Sequence, residues 1–204
     1  KLAFDYTLVL LSLPFIIPIL GLIALLVRFS SPGPALYTQL RVGHHGKPIR
    51  VYKFRSMYRD ADARLKDLLA NNAAARTEWK KHLKLKKDPR VTRLGNFLRK
   101  SSLDELPQLI NVLKGEMSLV GPRPERQFFV EQLTNEIPFY AVRHSVKPGL
   151  TGWAQVRYHY GGTVEDSAEK LQYDLYYVKN HSLLLDLIIL FETIAVVLTG
   201  KGAH

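Results

Sequence analysis

The chain of 204 residues contains no cysteine, so it has neither a disulfide framework nor a thiolate nucleophile, and any chemistry must come from other groups. Acidic residues are in the minority, 18 Asp and Glu against 29 Lys and Arg. The resulting net charge of +11 calls for acidic partners: nucleic acid, anionic lipid headgroups or phosphorylated small molecules. Charge alone does not choose among these. A different scarcity does, because from Tyr6 to Val27 no ionisable group occurs except the Tyr6 phenol. A nucleic-acid module has no reason to carry such a stretch, and no zinc-finger, homeodomain or RNA-binding signature accompanies it. No nucleic-acid partner is expected.

That apolar segment has the hydropathy of a membrane element, and it runs into Val27-Arg28-Phe29 without the small-residue cleavage site of a secretory signal. Pro14 and Pro18 lie inside it, and each interior proline deletes a backbone hydrogen bond. Two topologies follow. One is a kinked spanning helix; the other is a re-entrant helix-break-helix that leaves on the side it entered. The basic run after it (Arg28, Arg41, Lys47, Arg50, Lys53, Arg55, Arg59) fixes the downstream side as cytoplasmic. The chain begins at Lys1, and it is expected to be a piece of a longer protein with an upstream part.

Ser30-Ser31-Pro32-Gly33-Pro34 ends the membrane element, and Ala35 to Gln39 and Ile49 to Phe54 read as a β-hairpin. The His44-His45 pair at its tip is a poor metal site, since adjacent strand residues point to opposite faces. Asp60 to about Lys86 has a helical period with a narrow apolar stripe, and Arg90 to Lys100 gives a second basic helix after Asp88-Pro89. Leu171 to Tyr177 suggests a short helix. Leu183 to Leu198 is a second apolar stretch, in which Asp186 and Glu192 make a free span costly.

The most informative segment is Ser102-Leu103-Asp104-Glu105-Leu106, followed by Lys114-Gly115 and Gly121-Pro122-Arg123-Pro124. Ser102 and Glu105 have the spacing of a capping box, which is a purely structural account. Pro107 argues for a helix start nearer Asp104. There a carboxylate at a helix N-terminus beside Arg99 is expected to have a lowered pKa and stay ionised, ready to bind Mg²⁺ or attack phosphorus. The Gly-Pro-Arg-Pro turn would hold Arg123 on a fixed backbone near a diphosphate or nucleotide. Lys147-Pro148-Gly149 reads as a turn leading into a strand, with Trp153 as a packing anchor, Gln155 as a weak binding candidate, and His159-Tyr160-Gly161-Gly162 as a candidate sugar-selecting loop.

The blocks from Asp88-Pro89-Arg90 through Leu98-Arg99, Ser102 to Leu109 and Asn111 to Pro124 resemble those of the bacterial sugar transferases, the monotopic polyprenyl-phosphate phosphoglycosyl transferases. The resemblance continues through Lys147 to Val156, Tyr173 to Asn180, Phe4-Asp5-Tyr6 and Tyr52 to Met57, in order along nearly the whole chain. It implies transfer of a hexose 1-phosphate from a UDP-hexose, UDP-galactose or UDP-glucose foremost, to undecaprenyl phosphate. UMP is released, and the step opens O-antigen, capsule or exopolysaccharide assembly.

By that resemblance Asp104 is the nucleophile and Glu105 its partner as base or metal ligand, with Mg²⁺ at Asp104 and Glu105. The resemblance also makes Arg99 a phosphate-binding arginine and Pro18 the break of the re-entrant helix; Arg123, Lys53 and Arg55 are further phosphate-binding candidates, with a plain surface turn as the alternative at Arg123, and Gln155 and Asp174 are nucleotide or sugar candidates. Here Ile17 stands where the family usually has serine before that proline, and Pro14 is additional. The expected fold is mixed α/β and helix-rich with small β elements, divided into a re-entrant element over residues 1–29 and a cytosolic catalytic domain over 30–204 with interfacial amphipathic helices. The expected location is the cytoplasmic face of the inner membrane, against anionic lipids, with a homodimer left open. The rival from another class is a non-catalytic, lipid-binding scaffold, which would be indifferent to Asp104→Asn.

Overall fold

The computed structural model describes residues 1–82, 85, 88–158 and 163–199. The apolar N-terminal segment forms α1, Leu2–Ser30, and it is helical throughout, so the expected break at Pro18 is not an interruption of the helix. Pro14 and Pro18 still each remove a donor, leaving the carbonyls of Leu10 and Pro14 without their helical partners. Among the described residues α1 alone is long and apolar enough to cross a membrane by length and composition.

One stripe of α1 is core. Val9 is buried with Leu109, Val112 and Met117, while Ile23 and Val27 are buried with Phe54 and Leu98. The opposite side is open, with Leu11, Phe15, Leu22 and Phe29 all strongly exposed. Both ends of the helix are tied to the same body. At its start Lys1 Nζ lies 2.6 Å from Asp186 Oδ2, and Ser118 Oγ donates to Asp5 Oδ2 at 2.7 Å. At its end Arg55 donates to the carbonyls of Val27 (3.1 Å), Ser31 (2.5 Å) and Pro32 (3.1 Å), satisfying acceptors that the last helical turn leaves open.

The hairpin is present: β1 (Leu36–Val42) pairs antiparallel with β2 (Pro48–Phe54), Leu36 opposite Phe54 and Val42 opposite Pro48. Its turn runs through His44–Gly46, where His45 adopts a left-handed φ of 53°. Instead of one helix, residues after Asp60 form α2 (Ala61–Asn71) and α3 (Ala73–His82). The break is Asn72, which is extended and accepts from the Ala75 amide at 2.9 Å, so its side chain starts the second helix. Lys84, Lys86 and Lys87 lie outside the described residues.

Helix α4 (Arg93–Lys100) is started by Thr92, whose Oγ1 accepts from Gly95 N at 2.8 Å. A tight 3₁₀ turn over Leu103–Gln108 and the short α5 (Leu109–Leu113) follow. The chain then forms β3 (Ser118–Val120), α6 (Gln127–Glu136), β4 (Gly149–Thr151), α7 (Trp153–Arg157), α8 (Val164–Asn180) and α9 (Leu183–Thr199). The strand after Lys147 therefore precedes Trp153, which begins a helix. β3 and β4 are parallel, Ser118 opposite Gly149 and Val120 opposite Thr151. This pairing needs Gly121, because a side chain there would collide with the Lys147 carbonyl and Gly149 amide.

Candidate active site

Asp104 and Glu105 lie on the 3₁₀ turn, held between β2 and α4. Ser102 enters the turn with φ of 56° and makes no side-chain cap, so the capping box does not form and the turn is fixed from outside. Leu103 and Leu106 pack with Leu98, Phe54, Ile23 and Val27, placing the acidic pair on the flank of α1's C-terminal half. The following turn is anchored by Asn111, which is fully buried. Its Oδ1 accepts from the Tyr52 amide at 3.2 Å, and its Nδ2 donates to the Arg50 carbonyl and to Glu116 Oε2, both at 2.7 Å. One side chain thus serves the edge of β2 that β1 leaves unpaired. A lone asparagine inside the apolar run Leu109–Leu113 was the available signal for this anchor, and sequence reasoning missed it.

The two carboxylates have different surroundings. Glu105 Oε1 receives Lys53 Nζ at 2.6 Å, and Arg123 donates to Oε2 at 2.9 Å and to Oε1. Burial pushes the Glu105 pKa up, but the charges and hydrogen bonds of Arg123 and Lys53 outweigh it and hold the carboxyl far below its ordinary range. Arg123 is correspondingly held charged by Glu105. A carboxylate so held is a fixed negative charge between two cations.

Asp104 is buried, 8% exposed, and among the described residues its carboxylate accepts no hydrogen bond. Burial and the adjacent Glu105 raise its pKa above the ordinary carboxylate range, against the opposing pull of Lys53, Arg99 and Arg123. The expected lowering is therefore reversed, because desolvation outweighs Arg99 and the turn is 3₁₀ rather than the start of a long helix. Arg99 projects from the last turn of α4, its Nε donating to Ser56 Oγ at 2.9 Å. α4 can sit this close because Gly95 has no side chain to strike the Ser56 carbonyl.

Lys53, Arg123, Arg41 and Gln108 line one cleft beside the acidic pair. Arg55 is not committed there: its guanidinium caps α1, as described above. Asp174 is not in the cleft either. It is 3% exposed on α8 and paired with Arg143, whose Nη2 lies 2.7 Å and Nε 2.9 Å from Oδ2. Gln155 sits in α7, with Nε2 3.4 Å from the Leu150 carbonyl and a buried Oε1 that has no partner among the described residues. Trp153 stacks at 6.2 Å on Tyr176 and carries Arg157 over its ring at 4.4 Å. The His159 to Gly162 loop lies outside the described residues.

Among the described residues no cluster of three His, Asp or Glu side chains could hold a metal ion. Magnesium does not need one, since it commonly binds one or two carboxylates and completes its shell with substrate phosphate and water. The Asp104 carboxylate, which accepts no hydrogen bond from a described residue, fits that use, and Glu105 beside it has one oxygen with a single donor.

Residues 1–200 match the sequence model of the bacterial sugar transferase family. The chain is 42% identical over its whole length to a UDP-N-acetylgalactosamine-undecaprenyl-phosphate N-acetylgalactosaminephosphotransferase of Aeromonas hydrophila, covering 45% of that protein. It is 50% identical over 84% of its length to an undecaprenyl-phosphate galactose phosphotransferase of Salmonella typhimurium, covering 35% of it. It is also 44% identical over its whole length to the UDP-glucose:undecaprenyl-phosphate glucose-1-phosphate transferase of Escherichia coli, covering 41% of it. The chain spans less than half the length of these relatives. With a family match across nearly every residue, and cations paired to Glu105 within the blocks that carry it, this chain belongs to the bacterial sugar transferase family.

Proposed function

We propose that this chain catalyses the transfer of a hexose 1-phosphate from a UDP-sugar to undecaprenyl phosphate, with Asp104 as the nucleophile. The observation that carries the reading is the contrast within the acidic pair: a free, buried Asp104 beside a Glu105 bound by Lys53 and Arg123. An Asp104 oxygen attacks the phosphorus that bears the sugar, and the bond from that phosphorus to the bridging oxygen breaks, so UMP leaves with the electron pair. An oxygen of undecaprenyl phosphate then attacks the same phosphorus, releasing the Asp104 carboxylate and forming the lipid diphosphate sugar.

Chain groups supply what an anion needs in order to approach another anion. Lys53, Arg123 and Arg99 offset the diphosphate charge, and burial strips Asp104 of water that would blunt it as a nucleophile. Glu105 fixes the two cations in place. Mg²⁺, when bound at Asp104, would neutralise further charge on the diphosphate oxygens. The printed names of the relatives cover galactose, glucose and N-acetylgalactosamine, so a UDP-hexose donor is supported and the particular sugar is open.

The same reading places α1 in one leaflet of the cytoplasmic membrane. Attachment of Lys1, Asp5, Val27 and Ser31 to one body supports both ends lying on the cytoplasmic face, with the exposed stretch through Leu11, Phe15 and Leu22 in lipid. The open face of α9, including Leu184, Phe191 and Ile194, supports a second, interfacial contact with anionic lipids. The test is UMP release from a panel of UDP-sugars with undecaprenyl phosphate and Mg²⁺. Release with one sugar, lost on chelation and in Asp104→Asn, supports the proposal; full activity in Asp104→Asn overturns it.

A further inference from the structure

Arg143 is buried, with its side chain 6% exposed, and each of its three guanidinium nitrogens has a partner. Nε and Nη2 meet Asp174 Oδ2, Nη1 donates to the Tyr140 hydroxyl at 3.0 Å, and Nη2 also donates to the backbone carbonyl of Arg123 at 3.0 Å. The same Arg123 reaches out of the Gly-Pro-Arg-Pro turn to make its two hydrogen bonds to Glu105. A continuous chain of contacts therefore runs from α8, through a buried ion pair, to the backbone that aims a cation at the acidic pair. The turn is held as well by Arg41, which donates to the Pro124 carbonyl and Glu125.

A buried ion pair is a poor way to stabilise a fold, because desolvating two charges cancels most of their attraction and well-packed apolar residues do as well or better. Its value lies in directionality. A planar guanidinium can hold a carboxylate and a carbonyl at fixed angles at once, which a lysine ammonium on a flexible stem does poorly. We propose that Arg143 is a positioning residue for the transfer: braced by Asp174, it holds the Arg123 carbonyl and so sets the direction of the Arg123 guanidinium toward Glu105 and the substrate diphosphate. Asp174 then acts as the brace two contacts removed from Arg123's side chain, instead of as a nucleotide or sugar ligand.

This inference rests on the proposed transfer reaction, and a mutant cycle separates the two. UMP release is measured for the parent chain, Arg143→Lys, Arg123→Ala and the double variant, with thermal stability recorded for each. Arg143→Lys keeps the charge opposite Asp174 and is expected to lower kcat/KM roughly ten- to a hundredfold, the scale of a misplaced catalytic group. In the Arg123→Ala background the same change is expected to cost less than about twofold, because its target is gone. If Arg143→Lys does not fold, Arg143→Met with Asp174→Leu, which leaves no unpaired charge, is read by the same criterion. Equal losses in both backgrounds, or full activity of the Arg143 variant, overturn the positioning role while leaving the reaction intact. A parent chain silent with every UDP-sugar overturns the reaction and this inference together.

Discussion

Asp104 and Glu105 are neighbours in sequence and opposites in occupancy: Lys53 and Arg123 both bind the Glu105 carboxylate, and no described residue donates to that of Asp104. The pair is thus an anchored charge beside an available one.

The first prediction follows from the raised pKa of Asp104. Its native pKa lies above its unfolded value, so the native state binds the proton more tightly and stability falls as pH rises through that window. At neutral pH the ionised Asp104 is a cost to folding. Asp104→Asn should lower UMP release on the order of a thousandfold or more, with a thermal midpoint equal to or above the parent's. An inactive variant that is also strongly destabilised would count against this view.

Glu105 behaves in the opposite sense. Its native pKa is depressed, so its contribution to stability is present above the ordinary carboxylate range and is lost as pH falls toward the native value. Glu105→Gln should cost about 1–3 kcal/mol at pH 7 through the broken charged hydrogen bonds. Urea denaturation should show the gap between parent and variant narrowing below about pH 4. A gap independent of pH would mean that packing, and not charge, is what the glutamate supplies.

Gly95 lets α4 lie against the Ser56 carbonyl, and α4 carries Arg99. Gly95→Ala should therefore destabilise by about 1–3 kcal/mol, the range for an overpacked contact, and should reduce transfer by moving Arg99 off Ser56. Denaturation and UMP release measured on the same preparation check this. Parent-like values for both would show that α4 can shift without consequence.

Absence of cysteine makes the chain suited to a topology test. Leu2→Cys and Phe29→Cys, at exposed positions near the two ends of α1, should both react with an impermeant maleimide from the cytoplasmic side, while Phe15→Cys in the middle should be protected by lipid. Labelling of Leu2→Cys only from the periplasm would establish a spanning helix.

Local pattern made the hairpin, the basic helix ending in Lys100 and the long apolar segment legible in the sequence, because each depends on neighbouring residues alone. The acidic pair stood out for the same reason, as two adjacent carboxylates among basic residues. What was hidden depends on distant partners. Nothing near Arg55 says that its hydrogen bonds go to Val27 and Ser31, and nothing near Asp174 says that it faces Arg143. The direction of the Asp104 pKa was misread because burial, which decides it, is a tertiary property. Asn72 divided an otherwise regular helical period by a side-chain hydrogen bond that periodicity does not register.

Because Ile23 and Val27 share their packing with Leu103 and Leu106, α1 is also part of the ground on which the acidic turn rests. Exchanging it for an unrelated apolar helix of equal length would take that support from Leu103 and Leu106, the residues that flank the acidic pair. Deleting α1 would cost the same support: what is removed is masonry, and the acidic turn would lose a surface against which it packs.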